Sequence, residues 1–280
     1  MYPYLLRLGP PRLWVGSYGV CIALAAVTCW IVGPRWAERL EGFPRPVTRR
    51  SLMALGVAAF VGGRAHALWN AWEFAWGRAR DGAFDTLLYN GFHAAGAVVA
   101  TIFALPFVVR RYGLSPARFG DAIVPSVGLG IAIARLGCFL NGCCFGTRCT
   151  WPWCVALPKP SYIWHLHLVT GRLPQDALFS LPVHPLPLYF AAAGLLIMAI
   201  GLWLGPRKRY DGQVALLGVL TFGVTSATLE GLREDFTARV YWHGLPQLTW
   251  TAAGLSVGAL VVLVAAEVRV RSRSRRAAVA

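Results

Sequence analysis

The chain has 280 residues, 56% of them hydrophobic and only 14% charged, with 12 tryptophans and a formal net charge of +15. So apolar a composition over this length excludes a soluble globular domain. The basic surplus does not point to a nucleic-acid surface either, because it is concentrated in alternate segments between apolar runs.

Spanning the hydrocarbon of a bilayer as a helix takes about 20 mainly apolar residues. In chain order the qualifying runs are 15–32, 52–74, 87–109, 122–140, 186–204, 214–232 and 248–266. None alternates with the two-residue period of a barrel strand, so backbone polar groups must be satisfied within helices. The prediction is an all-α membrane protein with seven transmembrane helices. The segments after the first, third, fifth and seventh runs carry the basic clusters: Arg35 to Arg50, Arg110 to Arg118, Arg207 to Arg209, and Arg269 to Arg276. The positive-inside rule then places the N-terminus outside and the C-terminus in the cytoplasm, with anionic lipid headgroups as partners of the basic residues. No cleavable leader is visible in the first 14 residues, so the first span is expected to insert and stay. Residues 1–280 read as a single polytopic domain, with an outer loop rich in Cys, Pro and Trp at 141–185 and a basic cytoplasmic tail at 267–280.

Ionisable groups inside spans cost about 2.5 to 3.5 kcal/mol each on insertion scales, so each asks for a partner or a function. On this topology Arg64 and His66, Arg135 and Glu230 lie in the middle or outer parts of their spans, as do Asn90 and His93 at the start of the third. Asn141 follows the fourth span, His184 sits at the mouth of the fifth, and Tyr189 lies a turn further in. Arg135 is about five residues from the outer end of its span, or roughly 7 to 8 Å at 1.5 Å per residue. A guanidinium at that depth can fork onto a lipid phosphate, or else snorkel or pair with Glu230. Glu230 and Arg233, three apart on one helical face, suit an ion pair. His93 precedes Ala94, Ala95 and Gly96, small residues that admit a neighbouring helix or a substrate, and it reads either as a packing residue or as a base.

Five cysteines, Cys138, Cys143, Cys144, Cys149 and Cys154, close the fourth span and open the outer loop. Their spacing lacks the paired pattern of a zinc site, even with His165 and His167 nearby. A disulfide in an oxidising compartment is the better reading, of undetermined connectivity, and buried packing thiols are the alternative. Gly137, Gly142 and Gly146 among them suggest a tight turn.

The stretches "RLGPPRLWVGSYGVCIAL", "GFHAAGAVVA", "DAIVPSVGLGIAIARLGCFLNGCCFG", "HPLPLYF", "DGQVALLGVLTFGV", "LEGLRED" and "LPQLTW" resemble, in order and spacing, the bacterial prolipoprotein diacylglyceryl transferases. The resemblance covers nearly the whole chain. It implies an inner-membrane enzyme, with its active site towards the periplasm, that moves diacylglyceryl from phosphatidylglycerol to the lipobox cysteine of preprolipoproteins. It implies no metal or soluble cofactor. Carried over by motif, the essential arginine falls on Arg135, the motif's second asparagine on Asn141, the histidine on His93, the first-helix tyrosine on Tyr18, and the sixth-helix glutamate and arginine on Glu230 and Arg233. Arg64, His184 and Tyr189 join Tyr18 and Asn141 as expected substrate-binding residues. The chain departs from the family's usual pattern at Cys138 (asparagine), Cys143 (glutamate), Ala94-Ala95 (two glycines), Phe190 (glutamate) and Ser226 (arginine). These departures keep open a paralogue with another acceptor, or a non-catalytic lipid-binding protein. A thiol oxidoreductase built on Cys143 and Cys144 is a third reading, without CxxC support.

Overall fold

In a computed structural model of the protein, the described backbone comprises residues 4–8, 13–76, 93–234, 241–242 and 245–279. Eight α-helices follow one another: α1 Ser17–Glu41, α2 Arg45–Trp76, α3 Ala94–Arg110, α4 Pro116–Asn141, α5 Tyr162–Val169, α6 Leu186–Leu204, α7 Gln213–Glu230 and α8 Gln247–Val279. All but α3 and the short α5 contain a stretch long and apolar enough to cross a membrane, which makes six such helices among the described residues. The run predicted at 87–109 is represented by the shorter apolar α3, and its first part, 87–92 with Asn90, lies outside the described residues. The predicted basic tail continues α8 as helix to Val279.

Two small antiparallel hairpins supplement the helices. β1 Tyr4–Leu8 pairs with β2 Leu13–Gly16 ahead of α1, and β3 Tyr241–Trp242 with β4 Leu245–Pro246 ahead of α8. Neither was apparent in the sequence, because two-strand ribbons of two to five residues leave too little alternation to detect.

The central helix is α4, gripped by α1 on one side and α6 on the other. In lipid the hydrophobic effect does not draw helices together, so close contact depends on small residues that let backbones approach. A Cβ added at Gly137 would lie 2.5 Å from the Cys21 Cβ, and one at Gly130 2.7 Å from the Cys29 sulfur. On the α6 side, a Cβ at Gly128 would meet the Gly194 carbonyl at 2.6 Å, and one at Gly201 would meet Pro125 at 2.7 Å. Gly62 and Gly96 do the same for the crossing of α2 and α3. These six glycines thus mark helix crossings.

Each end of the bundle is tied by a different kind of interaction. At one end Lys208, after α6, bridges Glu41 at the end of α1 (2.5 Å), Asp121 near the start of α4 (2.8 Å) and Asp211 (3.1 Å). At the other end the segment predicted as an outer loop folds as a small module of its own. Phe145, Leu157, Ile163 and Val183 form its apolar core, and Ser161 caps α5 by accepting from the Trp164 N–H. Within it Cys149 and Cys154 are joined in a disulfide. This fixes one pairing that spacing alone left open.

Candidate active site

The site is built at the end of α4, and the local sequence explains how. Gly142 adopts a left-handed conformation (φ 75°) at the helix C-terminus, the Cys143 N–H donates to the Cys138 carbonyl (3.1 Å) and the Gly142 N–H to the Phe139 carbonyl (3.2 Å). This is a Schellman turn, which satisfies the last carbonyls and folds the chain back over the helix end. Cys144 then takes a positive φ of 63°, uncommon outside glycine. The two bends return Cys143 and Cys144 to Cys138, so that the three sulfurs lie within 4.8 Å of one another. Their sequence spacing concealed this, since nothing in an interval of five and then one residue signals a shared centre.

The segment after α7 is zipped onto the same turn. The Thr147 N–H donates to the Leu232 carbonyl (2.7 Å), the Glu234 N–H to the Phe145 carbonyl (3.2 Å) and the Gly146 N–H to the His184 carbonyl (3.0 Å). A Cβ at Gly146 would lie 2.6 Å from the His184 Cβ, so only glycine lets these three strands of chain meet. The zipper carries Arg233 to Cys144, with its Nη2 3.5 Å from the sulfur, while Nη1 stays 3.5 Å from the Glu230 carboxylate. The expected Glu230–Arg233 pair is present. Arg233, however, lies past the end of α7, so a turn closes the pair instead of a helical face. Glu230 is 2% exposed.

Arg135 lies six residues, nearly two helical turns, before the helix end, with its guanidinium 4.3 Å from the centre of the Phe190 ring on α6. Phe190 occupies the position where the resembling family carries glutamate. The arginine therefore stacks on an aromatic face here. Tyr18, brought to α4 by the close contact at Gly137, is within electrostatic reach of Arg135 and of all three cysteines. Outside the span, hydrogen bonds from Cys138 and Cys143, with Arg233 adding, hold the Cys144 thiol well below the usual thiol range, and the same sharing pushes Cys143 up. The Cys144 sulfur is thus the readiest of the group to carry charge.

The other predicted residues fall into flanking groups. His184 Nδ1 shares a hydrogen bond with the Tyr189 hydroxyl (3.2 Å), which also accepts from the Trp153 indole N–H (2.9 Å). Asn141 is the last residue of α4 and half-buried. His93 caps the start of α3, its N–H donating to the Gly63 carbonyl (3.2 Å) and its ring edge-on to His66 at 5.2 Å. Arg64 is half-buried on α2 beside Gly63. Ser226, at the usual position of an arginine, is buried inside α7 (2% exposed).

One group escaped the sequence reading. Buried His167 on α5 and buried Glu234 form a cluster with the exposed Arg172, in which Arg172 is paired to Glu234 and the His167 Nε2 lies 3.8 Å from the same carboxylate. The Leu181 N–H donates to His167 Nδ1 (3.3 Å), which fixes that nitrogen as an acceptor. Burial lowers the His167 pKa; Glu234 opposes this, and Arg172 and Arg148 reinforce it. The folded state therefore binds fewer protons than the unfolded chain once pH falls below the ordinary histidine value of about 6.5. Stability from this cluster is complete above that pH and lost as pH falls. We expect limited proteolysis of the loop module to accelerate between pH 7.5 and 5.5, and a His167→Gln variant to flatten that dependence.

A profile of the prolipoprotein diacylglyceryl transferase family matches residues 3–268. The chain is similar to the phosphatidylglycerol–prolipoprotein diacylglyceryl transferase of Bordetella avium (strain 197N), with 27% identity over 271 residues, 94% of this chain and 93% of that protein. It is likewise similar to the protein of that name from Synechococcus elongatus, 27% identical over 83% of this chain and 77% of the relative. The Mycolicibacterium paratuberculosis protein of that name is 29% identical over 93% of this chain and 61% of its own length.

Proposed function

The chain belongs to the prolipoprotein diacylglyceryl transferase family, and we propose that it transfers diacylglyceryl from phosphatidylglycerol to the lipobox cysteine thiol of preprolipoproteins in the bacterial inner membrane. Seven spans, an outer N-terminus and a site facing the periplasm complete the proposal. They rest on the alternation of basic clusters, which sets Arg35 to Arg50 and Lys208 at the end opposite Arg135. Residues 1–280 act as one domain, with 141–185 as its periplasmic module and 267–280 as its basic cytoplasmic end.

The observation that carries the reading is Arg135, a guanidinium near the end of a membrane helix, stacked on Phe190 and grouped with Tyr18 and Arg233 around a thiol-lined turn. In the proposed reaction the Arg135 fork holds the lipid phosphate. The acceptor sulfur attacks the glyceryl carbon, the carbon–oxygen bond to phosphate breaks, and glycerol phosphate leaves with the electron pair. Charge grows on that leaving group, and a cation already in place stabilises it without reorganisation. Glu230 orients Arg233, His93 takes the thiol proton, and Tyr18, Asn141, Arg64, His184 and Tyr189 line the lipid and peptide paths.

The test is incubation of the purified protein in detergent with radiolabelled phosphatidylglycerol and a lipobox peptide. Label on the peptide is the expected outcome. Lipid binding without transfer would favour instead a lipid-binding paralogue, the reading that the buried Ser226 supports.

A further inference from the structure

Two family positions at which this chain departs, Cys138 and Cys143, are not scattered substitutions. With Cys144 they place three sulfurs within 4.8 Å of one another, at the helix end that also presents Arg135. Bonds of about 2.3 Å to a tetrahedral zinc ion set sulfurs about 3.8 Å apart, so the cluster needs only small side-chain rotations to become a three-thiolate face. Charge also fits. Three thiolates and a divalent cation sum to −1, and Arg233, with its Nη2 3.5 Å from the Cys144 sulfur, supplies the offset. Pairing into disulfides fits less well: an odd number of thiols leaves one over, and the loop's own disulfide is already made between Cys149 and Cys154.

The geometry points to Cys138, Cys143 and Cys144 as a zinc site with an open fourth position, which binds the incoming prolipoprotein cysteine as a thiolate. This extends the transferase reading and rests on it. Three protein ligands with one exchangeable position is the arrangement of catalytic zinc, and a thiol that coordinates zinc is deprotonated outright. When the lipobox thiol binds, its proton passes to His93 and from there to water. The zinc-bound sulfur then donates a lone pair to the glyceryl carbon, the carbon–oxygen bond breaks, and glycerol phosphate departs from Arg135 as the dianion. The thioether product is a weak ligand and dissociates, which reopens the site.

The experiment uses the full-length protein in detergent, freed of metal by a chelator and titrated with Co²⁺ and then Zn²⁺. We expect one Co²⁺ per chain with cobalt–thiolate charge-transfer absorption, displaced by Zn²⁺. Affinity should fall at least tenfold in each of Cys138→Ser, Cys143→Ser and Cys144→Ser. The absorption should change on adding a lipobox peptide with cysteine, and stay unchanged with serine in its place. Absence of the band, its survival in Cys144→Ser, or a count of fewer than five free thiols in the denatured wild-type protein would overturn the site. An identical response to the two peptides would overturn the acceptor role. Label transfer that proceeds undiminished after chelation sinks the zinc proposal and leaves the transferase standing. Cysteine-specific metal binding without transfer under any condition does the reverse.

Discussion

Replacing Arg135 by alanine should lower diacylglyceryl transfer by about 10²- to 10³-fold, the usual cost of removing one preorganised stabiliser of transition-state charge. The same change should scarcely alter stability. The guanidinium is held by the Phe190 ring at 4.3 Å, and a cation–π contact at a partly exposed site contributes only about 0.5 to 1 kcal/mol. Arg135→Lys separates charge from geometry: lysine keeps the positive point but cannot offer two parallel N–H donors to a phosphate. If the fork is what matters, lysine recovers less than about a tenth of wild-type activity while the melting temperature is unchanged. Near-full activity in Arg135→Lys would mean that only the field of the charge is used. Near-full activity in Arg135→Ala would move the phosphate site to Arg233 or Arg64.

How much of this was legible beforehand depends on the distance over which each signal acts. The helical spans show in composition because lipid imposes an apolar run of fixed length. Arg135, Asn141 and the Glu230–Arg233 pair lie in local strings that carry a family likeness. The three-cysteine centre was hidden because it depends on a Schellman turn at Gly142 and a left-handed Cys144, backbone states that a list of cysteine intervals does not reveal. The stacking of Arg135 on Phe190 was hidden for a different reason. It joins α4 to α6, and only the close contacts at Gly128–Gly194 and Gly201–Pro125 set that register. The cluster of His167, Arg172 and Glu234 spans two loop segments that meet through the backbone zipper at 145–147. The segment 141–185 was expected to be an outer loop rich in Cys, Pro and Trp. It proved to have a core of Phe145, Leu157, Ile163 and Val183, apolar residues too dispersed along the chain to form a period.

Asp121→Ala should be the most destabilising single change away from the site. The carboxylate is 2% exposed and fully engaged. Its Oδ2 accepts from the Gly212 N–H (2.7 Å) and the Lys208 ammonium (2.8 Å), and its Oδ1 accepts from the Ala215 N–H (2.9 Å). It therefore caps the N-terminus of α7, where backbone donors lack helical partners and the dipole favours an anion, and it also anchors the lysine that reaches Glu41 on α1. Burial alone would lower the Lys208 pKa, but hydrogen bonds to Asp121, Glu41 and Asp211 outweigh it and raise it. A raised pKa means that the lysine's contribution is complete below its ordinary value of about 10.4 and is lost only in strong alkali. Removing the aspartate strands two backbone donors and part of a buried cation, which costs about 3 to 5 kcal/mol for a broken buried pair. Asp121→Asn keeps the shape but turns an amide N–H₂ towards a donor, and should fall between wild type and alanine. Lys208→Met leaves the cap intact and should cost least. Thermal unfolding in detergent ranks the three, and transfer activity per folded molecule should stay near wild type in all. If Lys208→Met proves as damaging as Asp121→Ala, the ion network, and not the helix cap, is what ties α1, α4 and α7 together at this end.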